Sequence, residues 1–352
     1  MLSVDIKKKL GDFELNVAFE TEDEVMALLG ASGCGKSMTL KCIAGIEKPD
    51  SGRIVLNDRV LFDSEAHVNL TPQERQVGYL FQQYALFPNM TVEQNIMLGA
   101  HKKPKEERSA IAKAQIKAFR LDGLEKHYPH QLSGGQMQRT ALARIMAAEP
   151  EILLLDEPFS ALDSYLKWQL EMEMSDTLKA FGRDVIFVSH SRDEVCRLCG
   201  TVCVLTNGSS DPKESVTELM QTPGTVGAAL LSGCKNFSKA ERLDDHHVRC
   251  LEWGVDLETG AAVPADMTFA GIRAHYFKLS YDKNPIPTHV ERVVEDAFST
   301  ILMLSTPGGS EGRSLLRLEL DKGALSGIRM GDDLTVYIAP EDVMLLSGTG
   351  LQ

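Results

Sequence analysis

The chain has 352 residues, of which 43% are hydrophobic and 25% charged, an ordinary globular composition with enough length for two or three domains. Its formal net charge of -13 argues against general nucleic-acid binding, because nucleic-acid phosphates attract basic surfaces. The sequence has no apolar run long enough to cross a bilayer, and its first residues lack the basic and apolar regions of a signal peptide. We therefore expect no nucleic-acid partner, and we expect any role at a membrane to depend on another protein.

The first twenty residues alternate polar and apolar side chains, which predicts antiparallel strands. A continuous apolar run from Val25 to Leu29 follows and predicts a buried strand. Met38 to Ala44 then has the composition of the first turns of a helix.

The stretch between this strand and this helix fits G-x-x-x-x-G-K-[S/T], the pattern of a phosphate-binding loop. It consists of Gly30, Ala31, Ser32, Gly33, Cys34, Gly35, Lys36 and Ser37. Glycines let the backbone approach phosphate oxygens, and the helix N-terminus presents N–H groups and its positive dipole end to the anion. We expect Lys36 to contact the β- and γ-phosphates of a nucleotide and Ser37 to ligate Mg²⁺. The alternative is a chance match in a glycine-rich turn, which the flanking strand and helix argue against.

The middle of the chain alternates between helix-like and strand-like segments. Pro104 to Phe119 is densely charged with a helical pattern, which predicts an exposed helix. Ile152 to Leu155 and Val185 to Val188 are continuous apolar runs, typical of parallel strands that are covered on both faces. The alternation extends to about residue 206 and predicts an α/β domain.

Two carboxylates, Asp156 and Glu157, follow directly after one of these apolar runs. At the tip of a strand, Asp156 can hold Mg²⁺ through water, and Glu157 can orient and deprotonate an attacking water. The alternative is a strand end with two solvated acids, which the upstream phosphate loop disfavours.

A second glycine-flanked helix start occurs at Leu132-Ser133-Gly134-Gly135-Gln136 and opens a helix-like run through Ala147. Ser133 can cap this helix, and the glycines leave its N–H groups bare for an anion. One ATP cannot easily use two such sites of the same chain. We therefore predict a head-to-tail dimer in which each of these helices meets the γ-phosphate held by the partner. An ordinary helix start is the alternative.

The character of the chain changes near residues 207–212, which are typical of a loop. From Gly233 onward, short β-type segments alternate with turns and predict a small all-β domain, either a barrel or a sandwich. We place the domains at 1–228 and 229–352. Lys235, Asn236 and Ser238 in the second domain could supply donors to a tetrahedral oxyanion, or they could be solvated polar groups at a strand edge.

The order of these motifs resembles that of the ATP-binding cassette (ABC) ATPases over roughly residues 1–230. The residues that carry the resemblance are Gly30–Ser37, Leu132–Gln136, Ile152–Glu157, Ala161–Asp163 and His190, with Gln82 at the place of that family's Q-loop glutamine. The resemblance implies an α/β P-loop ABC ATPase domain with a core sheet, an antiparallel β subdomain and a helical subdomain. It also implies ATP and Mg²⁺ as the cofactors of a hydrolytic site with Glu157 as the base.

The resemblance implies further roles for single residues of the nucleotide site. Gln82 contacts Mg²⁺ or the attacking water and relays the nucleotide state to membrane subunits, and His190 contacts the γ-phosphate. An aromatic residue of the first strands stacks on adenine in this family. Phe13 is the candidate here, and Leu10 is the alternative for that place.

Other implied roles concern the homodimer. Ser133, Gly135 and Gln136 act in trans on the γ-phosphate of the partner's nucleotide. Asp163 links the two ATP sites across the dimer.

Two further segments, Thr71–Gly78 and Leu80–Val92, resemble the corresponding segments of importer ATPases that carry a C-terminal transport-associated OB-like (TOBE) domain. Ser232–Asn236 and the compact tail look most like those of molybdate or sulfate importer ATPases. Importers of sugar, polyamine or ferric iron are the alternatives, and a non-transport ABC protein is a more distant one.

An importer ATPase of this kind lies at the cytoplasmic face of the membrane, with permease subunits and, through them, a solute-binding protein as partners. Residues 207–215 are polar where relatives often carry an apolar β-hairpin, so we expect that hairpin to be lost.

Overall fold

The computed structural model of the chain describes residues 1–160, 164–308, 315–322 and 327–348. The chain forms two compact units, Met1–Val216 and Thr217–Gln352, which we describe separately. The domain boundary that we place after residue 228 stays a prediction. Within the described ranges, no helix combines the length and the apolar character that a membrane span requires.

The first unit is built on one mixed sheet. Its strands are, in chain order, β1 (Leu2–Leu10), β2 (Phe13–Thr21), β3 (Val25–Gly30), β4 (Ser51–Leu56), β5 (Arg59–Asp63), β6 (Val68–Asn69), β7 (Val77–Leu80), β8 (Ile152–Asp156), β9 (Val185–Ser189), β10 (Thr201–Thr206), β11 (Ser209–Ser210) and β12 (Glu214–Ser215). Their order across the sheet is β6-β5-β4-β1-β2-β11-β10-β3-β9-β8-β7, and β12 pairs with β10.

The sheet has an antiparallel half and a parallel half. β1 and β2 pair antiparallel from Leu2↔Thr21 to Leu10↔Phe13, which confirms the strands predicted from the alternating N-terminal pattern. Strands β10, β3, β9, β8 and β7 are parallel neighbours. Every residue of β8 and β9 is buried, as expected for strands covered on both faces.

Helices surround the parallel half and form a subdomain of their own beyond it. They are α1 (Lys36–Ala44), α2 (Pro72–Arg75), α3 (Val92–Gly99), α4 (Lys105–Ala118), α5 (Gly134–Met146), α6 (Ser164–Phe181) and α7 (Arg192–Leu198), with a 3₁₀ turn at Pro129–Gln131. The buried side chains of α3, α4 and α5 share one apolar cluster, which includes Ile96, Ile116 and Ala143. α4 confirms the helix predicted over residues 104–119.

The strand order decides where the functional motifs meet. β3, β9, β8 and β7 lie side by side and run parallel, so their carboxyl ends share one edge of the sheet. Ligands of open parallel sheets bind at this edge. The segments that follow these strands carry the phosphate loop, His190, the Asp156-Glu157 pair and Gln82.

The expected loss of the hairpin after β10 is wrong, because β10 and β11 form a short polar hairpin with Leu205 opposite Ser210. Its two turn residues, Asn207 (φ 49°) and Gly208 (φ 86°), both have left-handed backbone conformations. Asn-Gly is the preferred pair for such a two-residue turn. The two turn residues are therefore sufficient to form this hairpin, and its formation does not require apolar side chains.

The second unit consists mainly of antiparallel sheets and confirms the all-β prediction. Its elements are α8 (Val216–Gln221), α9 (Val226–Leu231), β13 (Asn236–Arg242), β14 (His247–Cys250), β15 (Val255–Glu258), β16 (Phe269–Ile272), β17 (Pro285–Glu295), β18 (Ser299–Ser305), β19 (Leu316–Asp321), β20 (Asp333–Tyr337) and β21 (Met344–Leu346), with a 3₁₀ turn at Pro340–Asp342. One sheet has the order β15-β14-β13-β16-β21 and the other β19-β18-β17-β20. Trp253 is fully buried in the apolar cluster of this unit.

Two of the three residues considered for oxyanion binding have structural partners instead. The Asn236 amide donates to the carbonyls of Ile272 and Arg317 and accepts from the Arg317 N–H. The Ser238 hydroxyl bonds Glu252 at 2.7 Å. Both side chains are buried and their donors are committed, so the oxyanion hypothesis has no support at these two positions.

A buried guanidinium donates hydrogen bonds to the C-terminal end of α1, the helix that follows the phosphate loop. Arg75 is 0% exposed, and its Nη1 donates to the carbonyls of Cys42 and Ile43, both at 2.8 Å, in the last turn of α1. Its other nitrogens donate to Leu70 and Asn69. These oxygens and the negative end of the helix dipole offset the cost of burying the cation. Burial also lowers the pKa of Arg75 from its usual range.

We predict that Arg75→Met lowers the free energy of unfolding of the first unit by about 3 kcal/mol, because it leaves several buried oxygens without donors. Urea unfolding followed by circular dichroism measures this. Arg53→Met is the control, since Arg53 is exposed and forms an ion pair with Asp63 at the protein surface. An equal unfolding midpoint for the two variants would contradict the role given to Arg75.

Candidate functional site

The phosphate loop joins the end of β3 to the start of α1, in the strand-loop-helix context that its sequence predicts. Gly33 (φ 81°) and Gly35 (φ 107°) have left-handed conformations. Gly35 is the N-cap of α1, and no side chain caps the helix there. The first N–H groups of the helix are therefore without a side-chain acceptor and suit an anion. A Cβ on Gly30 would lie 2.5 Å from the Leu205 carbonyl oxygen, so only glycine fits.

The Lys36 ammonium lies inside this loop. Its Nζ donates to the carbonyls of Gly30 (2.7 Å) and Ala31 (2.8 Å), and the side chain is buried. Cys34 is also buried, with its sulfur 3.8 Å from the same Nζ. Ala31 and Ser32 are exposed. The loop thus has a fixed positive charge at its centre and an exposed rim, as a phosphate site requires.

Asp156 ends β8 and joins the loop to the rest of the sheet. Its Oδ1 accepts from Ser37 Oγ at 2.8 Å, and its Oδ2 accepts from Tyr79 Oη at 2.8 Å. Burial, and next the charge of Asp156, raise the pKa of Tyr79 above its ordinary value. The phenol therefore stays protonated and acts as a donor to the carboxylate.

Three of the predicted residues meet beside this pair. Gln82 Nε2 donates to Glu157 Oε2 at 3.4 Å, and His190 Nδ1 lies 3.6 Å from Glu157 Oε1. Glu157 has a left-handed backbone conformation with φ 46°. This conformation is uncommon for residues other than glycine, and the examples that do occur cluster at functional sites. Gln82 and His190 are exposed, so the carboxylate is flanked by two polar groups that a ligand can reach.

A hydrogen-bond network that the sequence reasoning missed holds the backbone around His190. Ser189 Oγ donates to Glu194 Oε2 at 2.6 Å, and the Ser191 N–H donates to Ser189 Oγ at 2.9 Å. Glu194 is only 4% exposed, and Lys167 of α6 forms an ion pair with it. The spacing of Ser191 and Glu194 matches the start of a capped helix and could have indicated this network. By contrast, the Tyr79–Asp156 bond crosses between strands, and no local pattern signals it.

The second glycine-flanked motif begins α5 as predicted. Ser133 is the N-cap, its Oγ accepts from the Gln136 N–H, and Gln136 Oε1 accepts from the Ser133 N–H. A Cβ on Gly135 would come within 3.0 Å of Leu170, so the helix start packs closely against α6. Ser133 is exposed. The side-chain oxygens of Ser133 and Gln136 each accept the backbone N–H of the other residue, so they stabilise the first turn of α5.

Phe13 and Asp163 are the two predicted site residues not yet described. The Phe13 ring lies beside the phosphate loop, since its Cζ would be 3.3 Å from a Cβ on Gly35. Leu10 faces Phe13 across the β1–β2 pair and is largely exposed. Adenine stacking by Phe13 stays a prediction. Asp163 lies outside the described residues.

The donor set fits a hard cation that arrives with a nucleotide. Within the described part of the chain, no group of three or more His, Cys, Asp or Glu side chains could hold a metal ion. Mg²⁺ bound with phosphates needs only one or two protein oxygens, because water and the phosphates supply the others. Ser37 and Asp156, with their oxygens within hydrogen-bond distance beside the phosphate loop, provide such a pair, and Gln82 and Glu157 lie next along the sheet edge.

The chain is similar to known proteins over most of its length. Residues 14–160 match the family described as ABC transporter. A molybdenum import ATP-binding protein of Rhodospirillum rubrum is 33% identical over 338 residues, which cover 93% of this chain and 88% of that protein. A sulfate/thiosulfate import ATP-binding protein of Halalkalibacterium halodurans is 32% identical over 97% of this chain and 96% of its own length.

Other similarities cover less of the chain. A ferric-ion import ATP-binding protein of Haemophilus influenzae is 39% identical over 64% of this chain and 65% of its own length. A solved structure of an ATP-binding cassette, a dimer in a post-hydrolysis state with ADP and Pi, is 29% identical with a TM-score of 0.53, covering 61% of this chain and 99% of that one.

Proposed function

The chain belongs to the ATP-binding proteins of the ABC transporter family and is an ATPase, and from this premise we propose that it energises the import of molybdate, tungstate or sulfate. One observation carries the choice of solute. The relatives named for molybdenum and for sulfate match 93% and 97% of this chain, including its β-rich second unit. The ferric-ion relative matches 64% of this chain, and two further molybdenum-import relatives match 64% and 63% of it, so the solute assignment rests on the two long matches. Because those two matches include the second unit, we favour an oxyanion.

In this proposal ATP binds with its phosphates on the loop Gly30–Ser37. Lys36 contacts the β- and γ-phosphates, and the exposed N–H groups of α1 surround them. Mg²⁺ neutralises charge on the phosphates, and Ser37, Asp156 and Gln82 are the residues that would hold it. Phe13, whose ring lies close to Gly35, is the residue on which the adenine would stack.

Glu157 is the group that removes a proton from the attacking water. Its carboxylate lies between Gln82 and His190, each within 3.6 Å of one of its oxygens, so both can restrict its orientation. His190 is exposed beside it and can contact the γ-phosphate. The network of Ser189 and Glu194 keeps the His190 backbone in place.

The site is completed by a second copy of the chain. Ser133 is exposed at the start of α5, which continues through Gly135 and Gln136, and a head-to-tail homodimer would bring this helix start to the partner's γ-phosphate. We propose that Asp163 links the two sites. The similar cassette structure solved as a dimer supports this arrangement.

A groove on the helical subdomain is the proposed contact with a membrane subunit at the cytoplasmic face. It has a volume of about 450 Å³ and is lined by Asn89, Met90, Gln94, Met97, Leu98, Lys105 and Arg108. Its two cations suit an acidic side chain or the C-terminal end of a helix. Through the permease subunits, a solute-binding protein would regulate the ATPase.

The turn after Gln82 connects this groove to the nucleotide. Tyr84 and Ala85 are consecutive non-glycine residues with φ of 60° and 45°. Arg144 of α5 donates to both of their carbonyls, and its guanidinium lies 5.6 Å from the ring centroid of Phe87. Arg144 therefore joins α5 to the segment that follows Gln82.

Glu157→Gln should abolish turnover while preserving ATP binding, because the amide keeps the shape of the side chain but cannot accept the proton. We expect the rate to fall by about 100-fold or more, with the protein trapped as an ATP-bound dimer. Phosphate release and light scattering measure the two effects. Glu149→Gln, on an exposed ion pair with Lys103, is the matched control. Ordinary turnover by the Glu157→Gln chain would rule out the base assignment.

Mixing two inactive variants tests the shared site. Lys36→Ala should block hydrolysis of the nucleotide that is held by its own chain. Ser133→Arg should block hydrolysis of the nucleotide that is held by the partner. A mixed dimer then contains one intact site, so we expect hydrolysis to reappear when the two proteins are combined. Hydrolysis by the Ser133→Arg chain alone would show instead that one chain is sufficient.

The solute is tested in proteoliposomes that contain the ATPase with its membrane subunits and solute-binding protein. We expect ATP hydrolysis to rise with molybdate, tungstate or sulfate and to stay at its basal rate with ferric ion, spermidine or a sugar. Stimulation by one of the latter group alone would replace the oxyanion assignment and leave the importer function intact.

A further inference from the structure

One donor to the Asp156 carboxylate has no role in the function proposed above. Ser37 holds Oδ1, but Oδ2 accepts from Tyr79 Oη at 2.8 Å. Tyr79 lies on β7 opposite Leu154 of β8, so its hydroxyl reaches across to the end of the neighbouring strand. The cross-strand register therefore brings a phenol to the residue expected to meet the metal.

The phenol is held rigidly. Tyr79 is 9% exposed, and its ring centroid lies 4.3 Å from that of Phe81. The hydroxyl is thus a donor fixed toward the carboxylate, from Tyr79 Oη to Asp156 Oδ2. A donor that is fixed before the ligand arrives costs no reorganisation when it binds.

The geometry determines what this donor does to Asp156. A carboxylate bonded at one oxygen can turn about its Cβ–Cγ bond, whereas one bonded at both oxygens cannot. Asp156 is only 7% exposed, so water cannot readily replace a lost partner. Outer partners of metal ligands generally fix the ligand's orientation, and removing one costs about 10- to 100-fold in metal affinity.

We propose that Tyr79 is a positioning residue for the metal part of the nucleotide site, where its hydroxyl holds Asp156 in the orientation in which Asp156 and Ser37 receive nucleotide-bound Mg²⁺. This inference rests on the proposed function, because it presupposes that Mg²⁺ accompanies ATP to Asp156. In this role Tyr79 acts through the Asp156 carboxylate, the partner of its hydroxyl.

The test is the contribution of Mg²⁺ to ATP affinity. ATP binding is measured by calorimetry on full-length Glu157→Gln protein, which does not turn over, once with Mg²⁺ and once with EDTA. Adding Tyr79→Phe should leave the affinity in EDTA unchanged and reduce the enhancement by Mg²⁺ about tenfold. Tyr79→Met, a second apolar replacement, should give the same selective loss if the phenylalanine variant is poorly folded.

Tyr276→Phe is the control. Tyr276 is half-buried against the apolar cluster of the second unit and has no part in the proposed nucleotide site. The Mg²⁺ enhancement should be the same in this variant as in the parent protein.

The outcomes separate the inference from the proposal beneath it. A parent protein whose ATP affinity does not respond to Mg²⁺ would refute the metal assignment itself. A responsive parent with an equally responsive Tyr79→Phe variant would overturn only the role of Tyr79. An equal loss of affinity with and without Mg²⁺ would also overturn it, because it would indicate a general structural effect.

Discussion

The hydrogen bond between Ser37 and Asp156 is the contact on which the site depends. It joins residues 119 positions apart, one at the start of α1 and the other at the end of β8. The bond can form because β3 and β8 both flank β9 in the parallel half of the sheet and end at the same edge. A phosphate loop and an acidic strand end then become one site, to which Glu157, Gln82 and His190 are added by the neighbouring loops.

Two guanidinium groups, the buried Arg75 and the partly buried Arg144, stabilise the elements around this site. Arg75 satisfies the last carbonyls of the helix that begins at the phosphate loop, and Arg144 satisfies the strained turn that follows Gln82. Each supplies several donors in a fixed plane, which lysine cannot do. Both therefore hold backbone in place where the proposed nucleotide and membrane-subunit contacts need it.

The second unit uses its polar residues differently. Asn236 and Ser238 bond the backbone and Glu252, so they hold β13 in its sheet. Trp253 fills the core of the unit. The two long matches, to a molybdenum and a sulfate import ATP-binding protein, include this unit.

The sequence by itself determined the local structures and their chemistry. Glycine spacing, an apolar run and a following helix identify a phosphate loop because each of these features acts within about ten residues. The carboxylate pair, the helix capped by Ser133 and the all-β character of the second unit were predictable for the same reason. The loss of the hairpin at Asn207-Gly208 was the wrong expectation, because the turn residues and not the apolar pattern set that hairpin.

Only the tertiary structure decided which distant side chains meet. Tyr79 reaches Asp156 through the register of adjacent strands, Arg75 reaches α1 across 33 residues, and Lys167 pairs with Glu194 between two helices. A lone tyrosine or arginine carries no periodic signal, and its partner is chosen by strand order and packing. Local residue patterns therefore specify what each segment can do, whereas the sheet topology specifies which segments do it together.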